Sequence, residues 1–240
     1  MIAFSVFGWP VYRYGIFYFV TFVVGYLFLS RVGKQSFLSK YPRVEKLLRT
    51  HLDDLFLLII LWVIIGGRLG HVVLYEWGYY SQHLLEIVYV RQGGMSFVGW
   101  LVGVVIGLLR LKKRHHLSWK DFLLLGDMIL CVVPLGILLG RIGNMLNQEL
   151  IGKPLDTLAV CQQDFFRYRG TLKVYDVRDE QLRVNTNIWQ SGLEWLLLLI
   201  VSWTLLLSRY LKKNFFPGLI SWSFLVGYGI VRFAVEFFKD

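Results

Sequence analysis

Long apolar runs separated by short basic clusters dominate the chain. Six stretches read as apolar helices: residues 11–30, 55–75, 94–111, 122–140, 193–207 and 218–238. Each approaches the ~20 residues that a helix needs to cross a hydrocarbon core about 30 Å thick. Backbone groups cannot stay unpaired in lipid, and a helix pairs them internally. The pattern therefore predicts an all-α, polytopic integral membrane bundle with about six transmembrane helices, forming a single domain over residues 1–240.

The polar positions suggest an orientation. Arg31, Lys34, Lys40, Arg43, Lys46 and Arg49 follow the first apolar run, Arg110, Lys112, Lys113, Arg114 and Lys120 follow the third, and Arg209, Lys212 and Lys213 follow the fifth. The loop after the second run holds only Arg91. Basic loops stay cytoplasmic, so both termini are expected outside. The N-terminus lacks a basic n-region and a small-residue cleavage site, so the first helix is expected to be retained. Residues 141–190 carry both charge signs and are too long for a turn. A small outer-face cap between the fourth and fifth helices is expected there.

Composition narrows the class. Hydrophobic residues make up 56% of the 240 and charged residues 18%. A soluble domain carries about a quarter charged residues, so soluble and disordered classes are excluded. Two cysteines exclude a disulfide scaffold. Cys131 and Cys161 fall at different depths, so no bond between them is expected. No Cys/His spacing suggests zinc, and neither a metal nor a cofactor is expected. The net charge of +10 fits basic loops beside anionic lipid and does not call for nucleic acid.

Small residues recur at four-residue spacing: Gly66 and Gly70, Gly99 with Gly103 and Gly107, Gly136 and Gly140. This spacing lets helices approach closely in lipid and is read as packing. Charges inside the spans are more informative, because they are costly there and usually face protein or a wet cavity. Arg68, Arg141 and Arg232 fall in the outer half at comparable depth, with Arg13 and Tyr14 entering the first helix and Glu194 opening the fifth on the same side. Taken singly, each arginine could snorkel or pair locally, as Arg232 could with Glu236. Together they suit a phosphate, because guanidinium matches phosphate oxygens bidentately and stays charged. Asp127 reads as a packing or helix-start residue, His115 and His116 as a solvated loop, and His71 as a packing histidine or a base one turn from Arg68.

The run Gly140-Arg141-Ile142-Gly143-Asn144-Met145-Leu146-Asn147-Gln148-Glu149-Leu150-Ile151-Gly152 closely resembles the signature of the bacterial prolipoprotein diacylglyceryl transferase family, roughly G-R-x-G-N-F-x-N-x-E-x-x-G. Met145 stands where the family has Phe. Further likenesses occur in order: Arg13-Tyr14-Gly15 to W-Y-G, Gly66-Gly67-Arg68-Leu69-Gly70 to G-G-R-x-G, Gly93-Gly94-Met95-Ser96-Phe97 to the start of G-G-M-S-F-H-G-G, and Gly227-Tyr228-Gly229 with Arg232 and Val235–Phe238 to the last conserved stretch. Only the outer segment between Leu155 and Ile188 lacks a likeness.

The resemblance implies transfer of diacylglycerol from phosphatidylglycerol to the lipobox cysteine of a prolipoprotein, releasing glycerol 1-phosphate, at the outer face of the bacterial cytoplasmic membrane. Its expected partners are phosphatidylglycerol, the lipobox cysteine and the lipid bilayer. It implies catalytic roles for Arg141, Arg232, Tyr14 and Glu149, with His71 as a further candidate base. Substrate contacts are expected from Arg141, Asn144, Asn147, Arg68, Gly94 and Ser96. Fixed positive charge would stabilise the departing phosphate ester, and the thiol needs a base or a positive field.

There are departures. Val98 replaces the family histidine and Trp100 a glycine. The H-P-S-Q-L-Y-E segment is poorly matched by Ile188–Glu194, and the usual seventh helix has no counterpart before Asp240. Two readings stand: a divergent transferase in which His71 or Glu149 accepts the proton, and a repurposed paralogue that binds phospholipid or a membrane partner. A transporter is a weaker third, lacking an inverted repeat or paired broken helices.

Overall fold

The architecture comes from a computed structural model that describes residues 2–6, 9–89, 94–146, 152–157, 173–176, 181–210 and 216–236. The elements are β1 (Ile2–Val6), β2 (Trp9–Tyr12), α1 (Arg13–Val32), α2 (Pro42–Thr50), α3 (Leu52–Leu74), α4 (Trp77–Tyr80) and α5 (Phe97–Arg114). After these come α6 (Trp119–Leu130), α7 (Val133–Leu146), β3 (Lys173–Asp176), β4 (Gln181–Val184), α8 (Thr186–Trp189), α9 (Leu197–Leu205) and α10 (Leu219–Glu236). The chain forms two compact units: Leu29–Phe122, and Met1–Phe28 with Leu123–Asp240.

In the unit Leu29–Phe122, α3 and α5 run antiparallel with their backbones in contact. A Cβ added at Gly66 would meet the Gly99 carbonyl and lie 2.8 Å from Gly103 Cα. One added at Gly99 would meet the Gly66 carbonyl and lie 2.6 Å from Gly70 Cα. The four-residue glycine spacing thus removes side chains where two helices touch. Gly107 leaves room for the Trp62 indole, which the Arg110 guanidinium covers at 4.3 Å from its centroid. Ser96 caps α5: its Oγ accepts from Gly99 N (3.2 Å), and its own N–H donates to Gly67 O on α3 (2.9 Å). Leu38, Val44, Leu47, Leu48 and Leu55 are buried around α2 and the start of α3.

In the other unit, α6 and α7 form one apolar length broken at Cys131–Val132, just before Pro134, which has no N–H to donate. The Cys131 carbonyl accepts instead from Trp203 Nε1 on α9 (3.0 Å). Asp127 on α6 is 0% exposed. Its carboxylate accepts from Gly218 N (2.7 Å), Ser221 N (2.7 Å) and the Ser221 hydroxyl. The first N–H groups of a helix lack intrahelical partners and carry partial positive charge, so a buried carboxylate there is compensated. Trp195, Leu198 and Phe224 form the core that joins the α9 and α10 segments, with Ile137, Leu138 and Tyr228 against it. Residues 152–157 and β4 are tied by Gly152 N to Val184 O (2.9 Å) and Val184 N to Lys153 O (3.0 Å).

The expectation of about six transmembrane helices is corrected. Among the described residues, three helical lengths are long and apolar enough to cross a membrane: Gly15–Val32, Leu52–Leu74 and Trp119–Leu146. The protein is thus a multi-pass membrane protein, with residues such as Phe19 and Leu57, each 69% exposed, on apolar outer faces. Helices also occupy the other three apolar stretches, but each falls short. The 18 residues of α5 end in Arg110, Lys112, Lys113 and Arg114. Beside α9, π-helical turns at Gln190–Leu196 and Leu206–Tyr210 interrupt the regular helix, leaving a short apolar length, Leu197–Ser208. In α10 the apolar length is Leu219–Val231. Two hairpins, β1–β2 and β3–β4, add to the expected all-α architecture.

Two substitutions test this packing through the thermal unfolding midpoint in detergent. Gly99→Val forces α3 and α5 apart and is expected to abolish the folded α3–α5 pair. Asp127→Ala strips a buried acceptor from the start of α10 and is expected to cost about 3 kcal/mol. An unchanged midpoint in either contradicts the corresponding contact.

Candidate functional site

The candidate residues fall into two clusters. In the unit Leu29–Phe122, Arg68 is 4% exposed on α3. Its Nε donates to Ile87 O (2.8 Å), its Nη2 to Glu86 O (2.7 Å) and its Nη1, at 3.5 Å, to Gly94 O. The guanidinium carbon lies 5.0 Å from the centroid of the Tyr80 ring. A buried guanidinium needs such acceptors, and these carbonyls belong to the chain between α4 and α5. Arg68 thus holds that connection onto α3.

One turn further along α3, His71 Nε2 lies 3.4 Å from the Glu76 carboxylate. The imidazole also neighbours the Tyr75 and Tyr80 rings, with centroids at 5.9 and 6.3 Å. Gly94 sits directly over it: φ is +76°, and an added Cβ would lie 2.5 Å from His71 Cδ2 and Nε2 and 3.0 Å from Arg68 Nη1. Only glycine combines that backbone conformation with that closeness. The cluster can therefore orient an imidazole nitrogen beside a carboxylate and hold a loop over it.

In the other unit, Arg141 and Asn144 lie three residues apart on α7, half-buried, within the signature run. Gly136 and Gly140, on the same helix, face α1. A Cβ at Gly136 would lie 2.7 Å from Thr21 Cγ2, and one at Gly140 would lie 3.9 Å from the Tyr18 hydroxyl. The α1–α7 seam therefore brings a phenol beside Gly140, the residue before the signature arginine.

Arg68, His71, Gly94 and Ser96 come together in one unit, and Arg141 and Asn144 belong to the other. Asn147, Glu149 and Cys161 lie outside the described residues, as do the side chains of Tyr14, Glu194 and Arg232. Backbone positions place Tyr14 in the first turn of α1 and Arg232 near the end of α10. Val98, at the position of the family histidine, is 51% exposed in the first turn of α5. Tyr18 and Glu76 are neighbours that the sequence patterns do not single out. Tyr18 follows Tyr14 by four residues on one helix face, which is a usable signal. Glu76 reaches His71 only because α3 ends at Leu74, a boundary that apolar periodicity leaves loose. Among the described residues, no group of three or more His, Cys, Asp or Glu could hold a metal.

The family model described as prolipoprotein diacylglyceryl transferase matches residues 1–240. The chain is similar to proteins named phosphatidylglycerol–prolipoprotein diacylglyceryl transferase from several bacteria. It is 41% identical over 192 residues to that of Nitrosomonas europaea, covering 80% of this chain and 62% of the relative. It is 38% identical over 189 residues to that of Nitrosospira multiformis, covering 79% and 58%. Against that of Dechloromonas aromatica it is 36% identical over 242 residues, covering 100% and 82%. The chain thus spans less than two thirds of the first two relatives.

Gly94→Ala is the sharpest probe of the first cluster. The new methyl displaces the His71 ring and occupies a left-handed backbone conformation, costing about 1–3 kcal/mol. A lowered unfolding midpoint is expected; wild-type stability contradicts the placement of Gly94 over His71.

Proposed function

Because the chain belongs to the prolipoprotein diacylglyceryl transferase family, we propose that it moves diacylglycerol from phosphatidylglycerol to the lipobox cysteine thiol of a prolipoprotein. The cysteine sulfur forms a thioether bond to the glyceryl carbon. The carbon–oxygen bond to the phosphate breaks, and glycerol 1-phosphate leaves with the electron pair. The thiol proton passes to a base. What carries this reading is the retention of Gly140, Arg141, Gly143, Asn144, Asn147, Glu149 and Gly152 in one run, with Arg141 and Asn144 on a regular helix beside Tyr18.

In this proposal Arg141 binds the phosphate and stabilises charge on the leaving oxygen, with Arg232 adding a second fixed charge. Asn144 and Asn147 hold the headgroup by hydrogen bonds, and Tyr14 and Glu149 serve the reacting centre. His71, oriented by Glu76, accepts the thiol proton, since Val98 cannot. Arg68, Gly94 and Ser96 shape the loop over His71. Clustered basic residues at 31–49 and 110–120, at the end of the α3–α5 pair where α3 starts, face the cytoplasm in this reading. The chemistry then takes place at the outer face of the bacterial cytoplasmic membrane.

Val98 supports a second reading, a paralogue that binds phospholipid without transferring it. Reconstitution with phosphatidylglycerol and a lipobox peptide separates the two, with the diacylglyceryl thioether read by mass spectrometry. Arg141→Ala is expected to lower the rate by about 10²–10³-fold, the usual loss for one group stabilising developing charge. His71→Gln is expected to lower it by about 10²-fold or more. Phosphatidylglycerol binding without product favours the paralogue, and an unchanged rate in Arg141→Ala contradicts the phosphate role.

A further inference from the structure

At the other end of α3 from His71, a cleft of about 350 Å³ opens in the unit Leu29–Phe122. Arg43 and Lys46 of α2, His51 at the start of α3, and Arg114, His115 and His116 at the end of α5 line it. The twenty residues from His51 to His71 separate the two places by about 30 Å of helix. The cleft sits where the span Leu52–Leu74 begins. No carboxylate lines it among the described residues. The nearby acids are already engaged: Asp121 lies 3.9 Å from Arg43, Asp54 lies 3.4 Å from His51, and Glu45 lies 2.9 Å from Arg49.

One detail points to a ligand. His115 Nε2 is buried and has no hydrogen-bond partner among the described residues. Such a group costs free energy unless something fills the role. The left-handed His116 (φ +51°) beside it closes the end of α5, with His116 N donating to Lys113 O and Leu117 N to Lys112 O, and so holds His115 at the cleft wall. With Asp121 facing only Arg43, the cationic lining of Arg43, Lys46 and Arg114 leaves the cleft positive, and a compact anion with several oxygens complements it. Phosphate meets the demand better than a carboxylate. Its several oxygens, each with more than one lone pair, can accept from two guanidinium groups, an ammonium group and an imidazole N–H together.

We propose that this cleft is a phosphate site, taking the phosphate of an anionic phospholipid headgroup or free phosphate in solution. It does not rest on the transfer chemistry at the opposite end of α3. Burial holds the His115 imidazole below the usual histidine pKa, with His51, Arg114 and Lys46 acting in the same direction and Asp54 against it. Arg43 and His116 add positive charge facing the same space, while Asp121 sits behind Arg43. A lowered histidine pKa means that the unfolded chain takes up the proton first. Its contribution to stability is full above about pH 6.5 and is lost as the pH falls below that value. A bound phosphate faces His115 with negative charge, raises its pKa and reduces this acid sensitivity.

The test uses the full chain in phosphatidylcholine nanodiscs with isotope-labelled histidine side chains, the His115 signal being assigned from His115→Gln. Its pH titration is followed with chloride alone, with inorganic phosphate at matched ionic strength, and in nanodiscs containing phosphatidic acid. A rise in the His115 pKa with inorganic phosphate identifies free phosphate as sufficient, and a rise with phosphatidic acid alone identifies the lipid headgroup. Arg43→Gln and Arg114→Gln are each expected to weaken binding about fivefold. Lys112→Gln, outside the lining, is expected to leave it unchanged. The Arg43 side chain is 58% exposed, so its variant is expected to keep the fold. Lys46→Gln serves as the independent second variant. No movement of His115 with either phosphate source, or equal binding in wild type and all three lining variants, overturns the proposal.

Discussion

Backbone contact between α3 and α5 is the constraint on which much of the unit Leu29–Phe122 depends. Lipid supplies little hydrophobic force between apolar helices, so their association rests on packing and hydrogen bonds. Gly66, Gly70, Gly99 and Gly103 permit the approach. The approach then sets where the chain before α5 can go. Ser96 N–H reaches Gly67 O, Gly94 lies over His71, and the Gly94 carbonyl comes within reach of Arg68. The same antiparallel pair carries the basic end of α5 back to the start of α3, where the cleft proposed to take phosphate lies. One seam therefore positions chemistry at both of its ends.

The other unit depends on a buried charge. Asp127 on α6 accepts from N–H groups about ninety residues away, at the start of α10. An uncompensated carboxylate at such depth would be strongly unfavourable, and the N-terminus of a helix compensates it with aligned dipoles as well as hydrogen bonds. Since α10 carries Arg232, the capping contact orients the helix that bears the second arginine of the proposed reaction. The Trp203 bond to the Cys131 carbonyl plays a related part, satisfying an acceptor freed by the break before Pro134. Polar groups inside this apolar unit thus act as long-range ties.

Local pattern made several of these features legible. The glycine spacing announces close helix contacts, and the Gly140–Gly152 run carries the family likeness in its residues alone. The number of spans was not legible in the same way. Apolar stretches in α5, α9 and α10 look like spans to a hydropathy reading, yet basic residues end one and π-helical turns flank another. Asp127 read correctly as a packing or helix-start residue, but its partners are too distant in sequence for spacing to find. His115 and His116 lie in the turn after α5, as their basic surroundings suggest, but the cleft beside them forms only where α2 and the end of α5 meet, which spacing cannot show.

The proposed function makes this chain a working diacylglyceryl transferase despite Val98. Complementation tests it most directly: the chain is expressed in a bacterium depleted of its own transferase, and the lipoproteins that accumulate are weighed. Restored growth and diacylglyceryl-modified lipoproteins are expected. A membrane-inserted, folded protein that leaves every prolipoprotein unmodified would contradict it.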